Sequence, residues 1–282
     1  MGGLLGHGTR VLLWMWAAFN VFLFGWIALT SLKSSREVFG SPLELPAGPQ
    51  WSNYDSAWSV SQLGQGFFNS IVIVAAATLT TIALAAPAAY VLTRTGRRTG
   101  GPVTTFFAVG MGIPMQAVII PVFILAQKVS LFFYGAFGWW DDRISLYAIY
   151  VAMSLPFCVF LLTGFFRTLP GEMEEAAALD GAGGLRIFTT IMLPLAQPGL
   201  ITALILTAVS LWNETLLALM LIAENDRYTL PQALLGLYQT MQYTSNWGGL
   251  FAGVVIVVLP IVAVYVWLGH RIIEGMTVGA GK

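Results

Sequence analysis

Leu169-Pro170-Gly171-Glu172-Met173-Glu174-Glu175-Ala176-Ala177-Ala178-Leu179-Asp180-Gly181-Ala182-Gly183-Gly184 stands between two apolar runs, residues 144–166 and 195–222. Each run is long enough for a membrane-spanning helix, which needs ~20 mostly apolar residues. The polar insert between them, 167–194, cannot cross lipid and is long for a turn between two spans. Its composition predicts a short helix. Pro170 suits a first helical position, and Glu172, Glu174 and Glu175 complement the dipole of a first turn. Ala176-Ala177-Ala178-Leu179-Asp180 then forms helix well and offers a small-residue surface. Gly181 is placed to stop the helix, and Gly183 and Gly184 add freedom. A second short helix, 185–192, leads back to the membrane at Leu193-Pro194. A solvated surface helix with nothing attached is the plain alternative. Against it, a merely solvated turn needs neither this length nor an alanine face that invites another surface.

Outward from the insert the chain is apolar throughout. Hydrophobic residues make up 57% of the 282 and charged residues 9%, where soluble domains carry about 25% charged. Too few polar groups exist to cover a soluble fold, whereas lipid solvates an apolar exterior. Formal net charge is zero, so no field points to nucleic acid. Cys158 stands alone in an apolar run, which excludes an intramolecular disulfide and reads as a buried thiol. Further apolar runs cover residues 11–29, 70–92, 103–126 and 250–272. The fold class is therefore all-α integral membrane, with six transmembrane helices in one domain, 1–282. Run 11–29 follows Arg10, but it is too long for a secretory core and no small-x-small cleavage site follows it, so it reads as an uncleaved first span.

Six spans put both termini on one side. Arg10, Arg94, Arg97, Arg98, Arg167, Arg186, Arg271 and Lys282 fall on that side; Lys33, Arg36, Lys128, Arg143 and Arg227 fall on the other. Cytoplasmic loops carry the excess of Lys and Arg, so both termini are expected in the cytoplasm and the 167–194 insert with them.

Prolines punctuate the spans at Pro87, Pro114, Pro121, Pro156, Pro198 and Pro260. Each removes a backbone hydrogen bond and bends its helix. Packing irregularity and a pathway between broken helices account for them equally well, with Pro114 and Pro121, beside Gly110 and Gly112, the first candidates for a cavity. Gly249 and Gly253 form a small-xxx-small pair suited to close packing. Glu214 is the one acid well inside an expected span, where a charge costs roughly 2.5–3.5 kcal/mol, so it is expected to face a cavity, a gate or the interface. Trp212 and Asn213 beside it supply stacking and hydrogen-bonding groups. His7 and His270 are isolated, so no metal site is expected. Gly279-Ala280-Gly281-Lys282 fails as a phosphate loop, because Met276 replaces the first glycine and no Ser or Thr follows Lys282.

Glu175-Ala176-Ala177, then Gly181, Ile191 and Leu193-Pro194, closely resemble the EAA---G---------I-LP signature of the membrane subunits of binding-protein-dependent ABC importers. The likeness covers nearly the whole chain and favours the carbohydrate-uptake branch, near the smaller maltose-type permease subunit. Ser31-Leu32-Lys33, Asn53-Tyr54, Asn69-Ser70, Phe165-Phe166-Arg167, Trp212-Asn213-Glu214, Thr229-Leu230-Pro231 and the tail from Gly275 to Lys282 are similar to that branch.

The resemblance implies the type I importer permease (MetI-like) fold, with 167–194 as a coupling helix seated in an ATP-hydrolysing subunit. Glu174, Glu175, Ala176, Ala177, Asp180, Gly181 and Pro194 become the expected docking residues. Trp212, Asn213 and Glu214 are expected along the substrate pathway. Thr240, Met241, Gln242 and Tyr243, in the last outer loop 224–248, are expected to meet an extracytoplasmic solute-binding protein, although a Trp/Tyr interfacial belt explains that loop's composition as well. The partners implied are a dimer of ATP-binding subunits, a second and different permease chain, the binding protein, the bilayer and a sugar. ATP and Mg would sit on the ATPase, leaving this chain without cofactor or catalytic role. An importer of a non-sugar solute is the nearest alternative. An ion-coupled secondary transporter stands further off, since it calls for several intramembrane ionisable groups.

Overall fold

A computed structural model describes residues 2–60 and 62–280, with the side chains of 2–7, 60, 97, 99, 241, 242 and 268–280 outside the description. The described residues contain helices and loops and no strand. The helices are α1 (Gly2–Thr30), α2 (Ser35–Gly40), α3 (Ser52–Asp55), α4 (Leu63–Arg94), α5 (Arg97–Met111), α6 (Met115–Phe137) and α7 (Asp142–Thr168). They continue with α8 (Glu172–Leu179), α9 (Gly184–Ile187), α10 (Leu193–Leu195), α11 (Gln197–Trp212), α12 (Leu216–Leu221), α13 (Leu230–Thr244) and α14 (Trp247–Ala280). Among the described residues five helices are long and apolar enough to cross a membrane, and a bent pair, Gly184–Leu195 with Gln197–Trp212, passes the same length and composition test when its two arms are taken together, giving up to six.

Two expected spans differ from the helices that form. Run 103–126 is not continuous: α5 stops at Met111, and α6 carries the apolar span from Met115 to Phe137. The break is chemical. Pro114 is extended at φ −68°, ψ 131°, it donates no hydrogen bond, and its ring disfavours helix at Ile113. Run 195–222 is likewise divided, with a 73° bend before α11 and a second interruption at 213–215, between α11 and α12.

Contacts gather the chain into two units, Met1–Phe67 with Leu230–Pro260, and Phe68–Thr229 with Ile261–Lys282. In the second, α5 and α11 both pack on α7. Its core joins the small face of α4 (Ala85, Ala86, Ala89) to Cys158, Val159, Leu162, Phe165 and Phe166 of α7. Small residues let helix backbones approach closely where lipid offers no hydrophobic drive. At Gly199, on α11, an added Cβ would lie 2.5 Å from Phe165 Cγ.

The first unit holds structure that composition hid. Residues 35–40 are helical because Ser34 and Glu37 form a reciprocal capping box, while 41–51, with Pro42, Pro46 and Pro49, stays irregular. Lys33 is fully buried and donates to the carbonyls of Ser41 (2.9 Å) and Pro42 (3.1 Å). Residues 230–244, expected as loop, form α13, because Leu230, Ala233 and Leu237 recur at helical spacing and are buried. Gly253 of α14 meets Leu234, Leu237 and Leu63 so closely that an added Cβ would stand 3.0 Å from each. An added Cβ at Gly249, its partner in the small-residue pair, would meet the nearby Asn246 side chain first, so one member of the pair faces other helices and the other is a matter of local packing.

Candidate functional site

The elbow between α7 and α11 is the most distinctly built polar feature of the second unit. Acids at Glu172, Glu174 and Glu175 occupy the first turn of α8, where the positive end of the helix dipole stabilises them. Its other end closes in a Schellman motif: Ala182 N–H donates to the Ala177 carbonyl and Gly181 N–H to the Ala178 carbonyl, both at 3.0 Å. That motif needs a left-handed residue at the position after the cap, and Gly181 supplies it at φ +79°. The chain then turns through Gly183 into α9, and buried Ile187 and Met192 tie the returning segment to the core.

α8 therefore has two unlike edges. Ala177 is half-buried against the core. Glu174 also points inward, its side chain only 16% exposed. Its Oε1 accepts from Arg94 Nε at 2.7 Å and from Arg94 Nη2, and its Oε2 accepts from the Tyr90 hydroxyl at 3.1 Å. Glu175, Ala176, Asp180 and Gly181 lie on the exposed edge, and Pro194 is exposed at the start of α10. Two large apolar side chains join them: Leu179 is 89% exposed and Leu185 79%. Sequence reasoning passed over both. A bulky leucine at each end of a polar, glycine-rich turn was the available signal.

Trp212, Asn213 and Glu214 diverge in space. Trp212 is buried and Asn213 is exposed. The Glu214 carboxylate accepts Leu217 N–H at 2.8 Å and Ala218 N–H at 3.4 Å, and the Tyr150 hydroxyl at 2.8 Å. Its charge is spent on restarting the helix after the break and on a phenol of α7. At the end of α13, Tyr243 is 90% exposed and Thr240 is exposed with its hydroxyl on the Leu237 carbonyl. The side chains of Met241, Gln242 and residues 275–280 lie outside the description, as do residues 281 and 282.

A second polar node ties the starts of α4 and α7 to the segment after α12. Arg143 pairs with Asp141 and donates to Asn69 Oδ1 at 3.0 Å. Asn69 in turn donates to the carbonyls of Asp226 and Tyr228, each at 3.0 Å. The hydrogen bonds from Arg143 hold the Asp141 carboxyl below its ordinary pKa. Arg94 and Glu174 lie at the far end of α4 from Asn69, so α4 and α7 run in the same direction between two polar nodes, as alternate spans of a six-span chain must. Among the described residues no cluster of His, Cys, Asp or Glu could hold a metal.

Known proteins resemble this chain along its length. It is 34% identical over 274 residues to the diacetylchitobiose uptake system permease protein NgcG of Streptomyces coelicolor, covering 96% of this chain and 87% of that one. It is 30% identical over 280 residues to the trehalose transport system permease protein SugB of Mycobacterium tuberculosis, covering 95% and 97%. A chain in the crystal structure of a bacterial ABC transporter involved in the import of the acidic polysaccharide alginate superposes with a TM-score of 0.75 at 23% identity, over 95% of this chain and 96% of that one. Residues 81–277, which hold the elbow and both polar nodes apart from Asn69, match the family described as binding-protein-dependent transport system inner membrane component. This chain belongs to that family, as a multi-pass ABC importer permease subunit.

Proposed function

We propose that this chain is the permease subunit of an ATP-driven carbohydrate importer, forming half of the translocation pathway and taking its energy through α8. The observation that carries the reading is the exposed stretch of α8 and the turn after it, where Glu175, Ala176, Asp180 and Gly181 are accompanied by exposed Leu179 and, at the start of α9, Leu185. A surface of that kind has a small-residue floor, apolar anchors and acids at its rim, which suits the cleft of another protein. The partner is an ATP-hydrolysing subunit, two copies of which would serve this chain and a second, different permease. ATP and Mg belong to that partner. A solute-binding protein on the other side delivers the sugar, and exposed Tyr243 and Thr240 on α13 are its contact candidates, with Met241 and Gln242 beside them in sequence. Carbohydrate is the substrate class because relatives named for diacetylchitobiose, trehalose and starch degradation products align over most of this chain.

The turn that holds Arg94 and Arg98, and the elbow flanks Arg167 and Arg186, carry basic residues, which supports a cytoplasmic position for α8 and both termini under the positive-inside rule. The test is co-purification of the ATPase with Glu175→Lys, Leu179→Asp and Gly181→Trp variants, alongside ATP-driven uptake of labelled diacetylchitobiose, trehalose and maltose into proteoliposomes supplied with the solute-binding protein. Loss of the ATPase from all three variants is expected, as is uptake of at least one sugar by the native complex. Undiminished retention in all three would remove the docking assignment, and uptake of none would remove the carbohydrate one.

A further inference from the structure

Glu174 belongs to the same acidic turn as Glu175, yet both of its carboxylate oxygens are taken by this chain. Arg94 grips Oε1 through Nε and Nη2, and the Tyr90 hydroxyl holds Oε2. Tyr90 is itself wedged in place. Its ring lies 5.1 Å from that of Phe188 on the returning arm of the elbow and 5.7 Å from that of Phe166 on α7. The Arg94 guanidinium carbon stands 5.8 Å from the Tyr90 ring centre. Four segments thus converge on one node: the end of α4, the end of α7, α8 and the segment 188–192. Along the chain Glu174 and Arg94 are 80 residues apart, so nothing covalent near α8 joins it to α4. The node does.

We propose that Arg94 and Tyr90 are positioning residues for the docking helix, fastening α8 through Glu174 to the end of α4. A push on α8 is then carried into α4 as well as into α7 and α11, which the elbow joins by chain continuity. Glu174 is removed from the docking surface and given the opposite duty, facing its own chain while Glu175 faces the partner. A carboxylate gripped through both oxygens by a planar guanidinium and a phenol has a fixed direction as well as a fixed distance. It therefore transmits rotation and translation, which a greasy contact alone would let slip. The proposal rests on the docking reading for the source of the push, but the fastening itself is a property of this chain.

The experiment uses the complete transporter, this chain with its second permease and ATPase subunits. Spin labels on Val91→Cys of α4 and Met173→Cys of α8, both exposed positions, report the distance across the node without nucleotide and after trapping with MgATP and vanadate. In the otherwise native chain one narrow distance is expected, the same in both states. In Glu174→Ala and Arg94→Ala the narrow distance is lost and shifts on trapping, while the ATPase subunits still co-purify. Arg94→Lys, which keeps the charge but loses the planar fork, leaves the distance broadened, and the exchanged pair Arg94→Glu with Glu174→Arg brings the narrow distance back. A native distance that shifts on trapping, or a Glu174→Ala distance as narrow and constant as the native one, overturns the proposal. Failure of the docking reading looks different: Glu175→Lys keeps its ATPase, and the distance across the node stays narrow until Glu174 is removed.

Discussion

Gly181 shows how one residue type can be demanded by backbone alone. It sits at φ +79° with no atom within 4 Å of where a Cβ would be, so substitution meets strain and no clash. Gly181→Ala is expected to destabilise the end of α8 by about 1 kcal/mol, the penalty of a left-handed side-chain-bearing residue. Gly181→Asn, which tolerates that region, should lose less; equal melting temperatures for all three purified chains would refute this. Glu214 is the other informative residue. Removing it strips a helix start of its cap, worth about 1 kcal/mol, and orphans a buried phenol, worth about 1–3 kcal/mol. Glu214→Ala should therefore lower thermal stability measurably, and adding Tyr150→Phe should recover much of the loss, because no unsatisfied hydroxyl is left. Additive losses in that double variant would show that the pair does not interact as described.

Helices in this chain end where backbone chemistry ends them, even inside apolar runs. Pro114 divides α5 from α6, and the Asn213-Glu214-Thr215 break is capped from within by Glu214. Backbone amides at both breaks find partners within the chain, Ile113 N–H on the Gly110 carbonyl and Leu217 N–H on the Glu214 carboxylate, as backbone outside a regular helix must where lipid offers no partner. Packing between α7 and α11 depends on a different device. Gly199 is buried beneath the Phe165 ring, with 2.5 Å between that ring and an added methyl carbon. Gly199→Ala should force α11 off α7 and destabilise the protein by about 1–3 kcal/mol, the usual range for overpacking a core. Gly183→Ala, in open space on the same elbow, is the control, expected to melt like the native chain. A Gly199→Ala protein as stable as that control would mean the two helices have slack.

For the whole molecule, orientation follows from charge. The turn Arg94-Thr95-Gly96-Arg97-Arg98 has no acid within it, so cytoplasmic placement is expected there, with the loop around Leu45 outside. An impermeant maleimide should label Leu45→Cys in intact spheroplasts and Arg98→Cys only after permeabilisation. Buried Cys158 should remain silent in both. The reverse pattern would turn the chain over and place α8 on the wrong side for any ATPase.

Much of this architecture was legible in the residues. Hydropathy locates spans because lipid leaves a helix no choice but to satisfy its own backbone and show apolar side chains. Local chemistry likewise reveals α8, since Pro170, the acids after it and Gly181 act within a few residues of themselves. The helix at α13 was obscured by its polar, aromatic C-terminal half, and the capping box at Ser34 by the prolines that follow it. What no reading along the chain could decide was direction. Glu174 and Glu175 are adjacent, identical in chemistry and equally fit for a docking surface, yet one turns to Arg94 and the other to solvent. That choice depends on where α4 ends in space, 80 residues earlier in the sequence. Trp212, Asn213 and Glu214 were parted in the same way. Periodicity states which residues can share a face; only packing between distant helices determines what each face meets.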